Sequence, residues 1–263
     1  DMPFATIELL RNRMICGRLG ARYLGGLQGP LNMPRQISAA TAQVLSEIQT
    51  VQDSQLQLDQ LILTPHRVGA TTTYGKQLVF QSSPDIEAVI RDDLLNVIAI
   101  KHDSLLLAGQ GAGDEPLGII NTPGVNAVNF GGAATFAKMV AFETALGKMN
   151  ADQGSLAYAT SPGAKGIWKA TAVALTGATT VSSRSIWENA AYGDGGNDGS
   201  VNSYRAASTN QIPLDKVIYG NWNELIYGNW GGWDMVLDVY TKAKNAEIVL
   251  TVNTWIDGGL RHA

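Results

Sequence analysis

The longest regular pattern of apolar and polar positions runs from residue 84 to 108. There Ile86, Val89, Ile90, Leu94, Val97, Ile98 and Leu105, with the stem of Lys101, recur three and four residues apart. That spacing predicts an amphipathic helix of about 25 residues, roughly 37 Å long. Ser83 is placed as its N-cap and Pro84 at the first helical position, where a missing N–H costs nothing. Asp85 and Glu87 suit the positive end of the helix dipole, while Lys101 and His102 lie toward its other end. Glycines 109, 111 and 113 stop the helix.

Other segments are shorter. Phe136 to Met149 reads as a second helix, Leu156 to Thr160 as a buried strand, and Pro162 to about Leu175 as a third helix capped by Ser161. Met235-Leu237-Val239 and Ile248-Leu250-Val252 alternate with polar residues, as half-buried antiparallel strands do. Residues 176–212 are dominated by Gly, Ser, Thr, Asn and Asp, which predicts a solvated loop. Before the long helix, Leu56, Leu58, Leu61, Leu63, Val68 and Val79 lie in β-prone runs broken at Pro65-His66-Arg67, so two strands returning along one another are expected. Residues 36–60 hold no aromatic and few large apolar side chains, and read as an extended excursion. Residues 1–34 carry arginines and glycines around one apolar cluster, Ile7, Leu9 and Leu10; such an arm is either laid on something else or frayed. The sum is an α+β or α/β chain of one large domain or two medium ones.

Composition narrows the function. With 45% hydrophobic and 16% charged residues among 263, the chain can bury a real core. A net charge of -4 and scattered basic residues argue against tight, direct nucleic-acid binding. Cys16 is the single cysteine and the three histidines are far apart, so neither an intrachain disulfide nor a metal cluster is expected. Apolar stretches are interrupted well before the roughly eighteen residues of a membrane span, and no signal peptide opens the chain, which reads as soluble and made inside a cell.

Candidate chemistry is thin. Gly109-Gln110-Gly111-Ala112-Gly113 follows a helix, and phosphate-cradling glycines precede one, so a C-cap and hinge is the better reading. His66, His102 and His262 stand in no signature with a nucleophile, and Asp92 and Asp93, adjacent on a helix, point about 100° apart. Tryptophans 222, 230, 233 and 255 have no interleaved basic stripe and fit packing better than base stacking. Cys16 reads as an ordinary small residue. An echo, Tyr219-Gly220-Asn221-Trp222 and Tyr227-Gly228-Asn229-Trp230, is too short for a repeat architecture and reads as local packing. No catalytic, cofactor-binding or metal-ligating residue is assigned, and no cofactor is expected.

One long run is more specific. It comprises Leu63-Thr64-Pro65 through Tyr74, then Gln81-Ser82-Ser83-Pro84-Asp85-Ile86-Glu87, Arg91-Asp92-Asp93-Leu94, and Gly113-Asp114-Glu115-Pro116-Leu117-Gly118-Ile119-Ile120-Asn121-Thr122-Pro123-Gly124-Val125. With Pro34-Arg35-Gln36, Thr209-Asn210-Gln211-Ile212-Pro213 and Gly231-Gly232-Trp233-Asp234, it resembles the major capsid protein family of tailed bacteriophages over nearly the whole chain. The resemblance implies an α+β Hong Kong 97-type fold: an N-terminal arm (1–34), an extended β-hairpin loop (35–80) reaching over a neighbouring subunit, a peripheral domain (81–135 and 236–263) with a spine helix (84–108), and an axial domain (136–235). It further implies a structural, non-enzymatic protein that self-assembles into hexamers and pentamers around double-stranded DNA, held without sequence-specific contacts, in a virion head assembled in the bacterial cytoplasm. Portal, scaffolding, decoration and maturation-protease proteins are the partners it suggests, and no membrane.

Departures from the family pattern carry expectations of their own. Some relatives have a loop lysine that forms an isopeptide bond with a neighbour's asparagine, but here no lysine precedes Lys76, so no such crosslink is expected. The aromatic common before the loop glutamate is replaced by Val44, Leu45 and Ser46 ahead of Glu47. Relatives often continue past Leu260-Arg261-His262, implying a further short tail, and Asp1 followed by Met2 fits either a processed mature chain or a segment following a disordered one. An encapsulin-like nanocompartment or a gene-transfer-agent shell would share the fold. An α/β hydrolase is the rival from another class, and it lacks a nucleophile elbow.

Overall fold

The structure, a computed structural model, describes residues 14–81, 86–174, 184–189 and 198–262. The expected N-cap Ser83, the first helical residue Pro84, Asp85, the cluster Ile7, Leu9 and Leu10, and glycines 193, 195 and 196 lie outside them. The chain opens with a short helix α1 (Cys16–Leu19), strand β1 (Arg22–Leu27), strand β2 (Leu31–Ser38), and, after an irregular stretch, β3 (Gln57–Leu63). Then come β4 (His66–Gly75), α2 (Lys76–Gln81) and the long α3 (Ile86–Ala108). A 3₁₀ turn at Ile119–Asn121 leads to α4 (Phe136–Lys148), β5 (Leu156–Thr160) and α5 (Pro162–Ala170). Strands β6 (Trp187–Asn189), β7 (Asp198–Val201), β8 (Tyr204–Ser208) and β9 (Val217–Asn221) precede the two 14-residue strands β10 (Leu225–Asp238) and β11 (Glu247–Leu260).

Three sheets result: a four-stranded one in the order β1-β10-β11-β4, a ribbon of β2 and β3, and a five-stranded one in the order β6-β7-β8-β5-β9. The antiparallel register sets Met235 opposite Val252 and Leu237 opposite Leu250, while Leu237 is exposed and Val239 lies past the end of β10. On β11, Leu250, Val252, Thr254 and Ile256 are all buried; residues two apart share a face, and this face meets α3. Leu94, Ile98, Leu105, Leu106 and Leu107 of α3 pack there together with Val68 and Tyr74 of β4. The run Leu105-Leu106-Leu107 is buried all round because the helix end is also covered by α1 and by Ala157, Ala159 and Ala207 of the five-stranded sheet. A second core joins Met139 of α4, Tyr158, Trp168 of α5, Trp187, Val201 and Ala206.

Four expectations are corrected. The strands that return along one another are β2 and β3, with Leu31 opposite Leu63, whereas β4 pairs with β11; alternation marks a strand but does not name its partner. Val79 lies on α2, not on a strand. Residues 198–208 form the β7–β8 hairpin instead of a solvated loop, since Val201, Ala206 and Ala207 are fully buried despite the polar composition around them. The third helix ends at Ala170, because Thr171 is extended and Val173 N–H donates to the Arg184 carbonyl. Its cap is as expected, with Ser161 Oγ accepting from Ala164 N–H at 3.3 Å.

Candidate assembly site

The glycines after α3 build a closed turn. Gly109 N–H donates to the Leu105 carbonyl and Gly118 N–H to the Gly109 carbonyl at 3.0 Å, while Gly111 takes φ +66° and donates to Pro116. The two chain passes touch, for a Cβ on Gly118 would lie 2.4 Å from Gly109 N. Asn121 Nδ2 then donates to the Ala108 and Gly109 carbonyls at 3.2 and 2.8 Å, satisfying acceptors that a helix end leaves open. The segment 109–121 is therefore a lock on the C-terminus of α3.

The same helix end holds the arm. Asp103 is buried and accepts from Ile15 N–H at 3.2 Å and Cys16 N–H at 3.0 Å, so its carboxylate caps α1. Burial raises its pKa, against the lowering effect of those hydrogen bonds and of Arg18. Burial likewise pushes the Cys16 thiol up, and the residue is inert packing. β1 then pairs in parallel with β10, setting Tyr23 beside Tyr227. The described part of the arm is thus core and sheet, fastened by a residue whose partner no local pattern announces.

His102 does not serve the helix dipole. It is buried against β10, where its Nδ1 meets Tyr227 Oη at 2.8 Å and its ring stacks on Trp233 with 5.8 Å between centroids. Desolvation holds its pKa down to about 4, so the ring is neutral near pH 7. Tyr227 is pushed up to about 12, chiefly by burial, and remains the donor. Lys101 stays exposed and pairs with Glu115 at 3.5 Å. His66 lies 3.7 Å from Asp257, and His262 2.9 Å from Glu224. The three histidines are not brought together, Asp92 and Asp93 are both exposed, and no group of three His, Cys, Asp or Glu able to hold a metal occurs among the described residues. A shallow groove of about 500 Å³ along α4, lined by Val140, Ala141, Thr144 and Met149 among others, has Lys148 as its sole ionisable lining group. No described helix is long and apolar enough to cross a membrane.

The tryptophans pack. Trp222 Nε1 donates to the Ala157 carbonyl and Trp230 Nε1 to the Gly29 carbonyl, so the two echoed segments each fasten a strand to distant backbone. In contrast, the ribbon is poorly covered: Val44 and Ile48 are almost fully exposed, and Ile37, Val51, Leu56, Leu58 and Ile62 are exposed as well. Its root is held by Asp257, which accepts from Thr64 N–H at 2.8 Å, and along it Arg35 pairs with Asp59 at 2.6 Å.

The described residues thus hold a scaffold locked at one helix end and an exposed apolar loop. The phage capsid family matches residues 5–263. The chain belongs to the phage capsid family. It is 30% identical over 255 residues to the major capsid protein of Halomonas phage phiHAP-1, covering 97% of this chain and 40% of that protein. To the major capsid protein of Klebsiella oxytoca phage phiKO2 it is 31% identical over 114 residues, 43% of this chain and 27% of that one. The chain thus spans less than half the length of these curated relatives. Among solved structures, the capsid of an empty GTA particle matches with TM-score 0.74 at 14% identity, covering 97% of this chain and 90% of that one. Mycobacterium phage Adephagia matches with TM-score 0.73 at 8% identity, covering 97% and 86%. These likenesses show the fold, an α+β fold of the Hong Kong 97 type.

Proposed function

We propose that this chain is the shell-forming region of a major capsid protein, a structural and non-enzymatic subunit that self-assembles into hexamers and pentamers of a phage head around double-stranded DNA. The observation that carries the reading is the loop of a phage capsid family chain, where Ile37, Val44, Ile48, Val51, Leu56, Leu58 and Ile62 stay exposed while only the root, at Leu31, Met33, Leu61 and Leu63, packs on its own molecule. Single two-stranded ribbons are marginal in water, so this one gains its stability on another subunit. Net charge of -4 fits enclosure of DNA without sequence-specific contacts. Portal, scaffolding, decoration and protease partners belong to the same reading, as does location in the virion. The match to a GTA capsid keeps a gene-transfer-agent shell as the second reading, which differs only in what is packaged.

In this reading residues 1–34 are the arm and the neighbour-reaching loop falls within 35–80. Residues 81–135 and 236–263 form the peripheral domain with α3 as spine, and 136–235 the axial domain. Strand pairing favours counting β4 and all of β10 with the peripheral unit, and the second core supports the axial unit. Deleting residues 38–60 tests the role of the loop. The deletion subunit is expected to keep its circular dichroism and to give no closed shells by negative-stain electron microscopy; normal shells from it would refute the reading.

A further inference from the structure

The described arm does more than fill the core, for it ties the two larger sheets to one another. Helix α1 starts on α3, where Asp103 accepts from the amides of Ile15 and Cys16, and it ends on the five-stranded sheet. At that end Ser155 Oγ donates to the Leu19 carbonyl and Arg205 Nη1 to the Arg18 carbonyl, each at 2.8 Å, while the Arg18 guanidinium pairs with Asp198. Gly20 then turns the chain at φ +115°, so close to the sheet that a Cβ there would lie 2.7 Å from Ser155 Oγ. From this turn β1 leaves to pair with β10. Between Ile15 and Leu27 the chain thus touches α3, the five-stranded sheet and the four-stranded sheet in turn.

Beneath this crossing the contact is smooth. Where the five-stranded sheet meets Leu105, Leu106 and Leu107 of α3, β5 and β8 present Ala157, Ala159 and Ala207. Methyl groups raise no deep ridges and apolar contact has no preferred direction, so such a face resists separation more than sliding. An angle must be fixed by polar contacts at two separated points. Trp222 supplies the first, its Nε1 donating to the Ala157 carbonyl where the chain crosses from β9 to β10. Asp198 supplies the second from β7, which lies three strand spacings from β9, roughly 14 Å. Its side chain is 7% exposed and faces both Arg18 and, at 3.4 Å, Arg205.

We infer that the arm is a releasable strap that sets the angle of the five-stranded sheet on the end of α3, with the Arg18–Asp198 pair as its release point. This rests on the shell reading above, in which one sequence fills rings of five and of six and so needs more than one subunit shape. The two ends of α1 differ in the way a release point requires. Asp103, Ile15 and Cys16 are each at most 1% exposed, whereas the Arg18 side chain is 29% exposed, so water competes for its guanidinium and not for the Asp103 anchor. Opening at Arg18 leaves α1 attached to α3 and frees the alanine face to shear by a small step, the kind of discrete shift that packed layers allow.

Spin labels at Asp92→Cys on α3 and Lys148→Cys on α4 read the angle as a distance, in the full chain diluted with unlabelled copies. Both sites are exposed, and Cys16, at 0% exposure, takes no label. Arg18→Met and Asp198→Asn should each raise the minor distance population about fivefold or more, with circular dichroism unchanged, and should give shells of mixed diameter by electron microscopy. Arg18→Lys keeps the charge and should hold the wild-type distance, as should Asp59→Asn, which breaks an ion pair in the ribbon instead. Distances unmoved in both strap variants would overturn the strap and leave the shell reading intact. Moved distances with shells of wild-type diameter would overturn its role in ring size. A wild-type chain that forms no shells or rings would sink the shell reading and that role together, while the distances would still decide the strap.

Discussion

Removing the Asp103 carboxylate tests whether the end of α3 holds the arm. In Asp103→Ala two backbone donors, Ile15 N–H and Cys16 N–H, lose acceptors now 3.0 to 3.2 Å away, in a place where Ile15 and Cys16 are at most 1% exposed. A buried donor left unsatisfied costs about 1–3 kcal/mol, which sets the gross loss at roughly 2–6 kcal/mol. Against it stands the carboxylate's own burial, the dominant influence on its pKa, which raises it. Deleting a poorly solvated anion returns part of the loss, so a net destabilisation of about 2–4 kcal/mol is expected. Asp103→Asn keeps one acceptor oxygen in place and should cost less, about 1–2 kcal/mol.

Urea unfolding of the unassembled subunit reads the size of the effect, and hydrogen exchange reads its place. The amides of Ile15, Cys16 and the β1–β10 pairs should lose protection before those of β10–β11, because only the former depend on the clamp. A change below about 0.5 kcal/mol in Asp103→Ala, with protection at Ile15 and Cys16 intact, would refute the account of the arm.

Two further outcomes follow from the same helix end. His102 is held at about 4 against an ordinary 6.5, so the unfolded chain takes up a proton first and stability falls as pH drops through that window; the full effect is about 3 kcal/mol. Asp103, with a raised pKa, acts in the opposite sense, gaining stability on acidification, so His102→Gln should flatten or reverse the fall in urea midpoint between pH 7 and 4. A slope unchanged in that variant would show that His102 is not its source. Gly118→Ala would put a Cβ 2.4 Å from Gly109 N and 2.7 Å from Ala108 N, both backbone, and should cost about 3 kcal/mol or more in thermal unfolding. Gly220→Ala, with nothing within 4 Å, serves as control and should stay within about 1 kcal/mol of the wild type.

What was legible in the sequence was what repeats with a period. α3 and β11 each carry their apolar positions at 3.6- or 2-residue spacing, because one face of each lies on a single core, whereas β10 is buried throughout Leu225–Trp230 and exposes Val236 and Leu237. The partner of β3 was not legible, since either neighbouring run satisfies its alternation and only the packing of Leu61 and Leu63 under Gly259 chooses. Residues 198–208 escaped because Gly, Ala and Ser fill their interior positions, and small residues leave little hydrophobic signal even when fully buried. His102 did leave one: Leu94, Ile98, His102 and Leu105 continue a single i, i+4 and i+3 stripe, which places the imidazole inside. The clamp between Asp103 and Ile15 spans 88 residues, and nothing local could have announced it.

The distribution of exposed apolar surface then bears on how such a subunit assembles. Scattered single residues would need no explanation, but here they gather in the ribbon. Covering Val44, Ile48 and Val51 on a neighbour is worth roughly 5–9 kcal/mol in transfer terms. Bringing two subunits together costs an estimated 4–15 kcal/mol in lost freedom. One contact that covers the loop therefore nearly cancels, and two free copies should not form a tight pair through it. Around a closed ring every copy is both donor and acceptor, and the last contact forms without a further loss of translational freedom. Under the proposed shell reading, contacts of this marginal strength favour closed assemblies over open pairs.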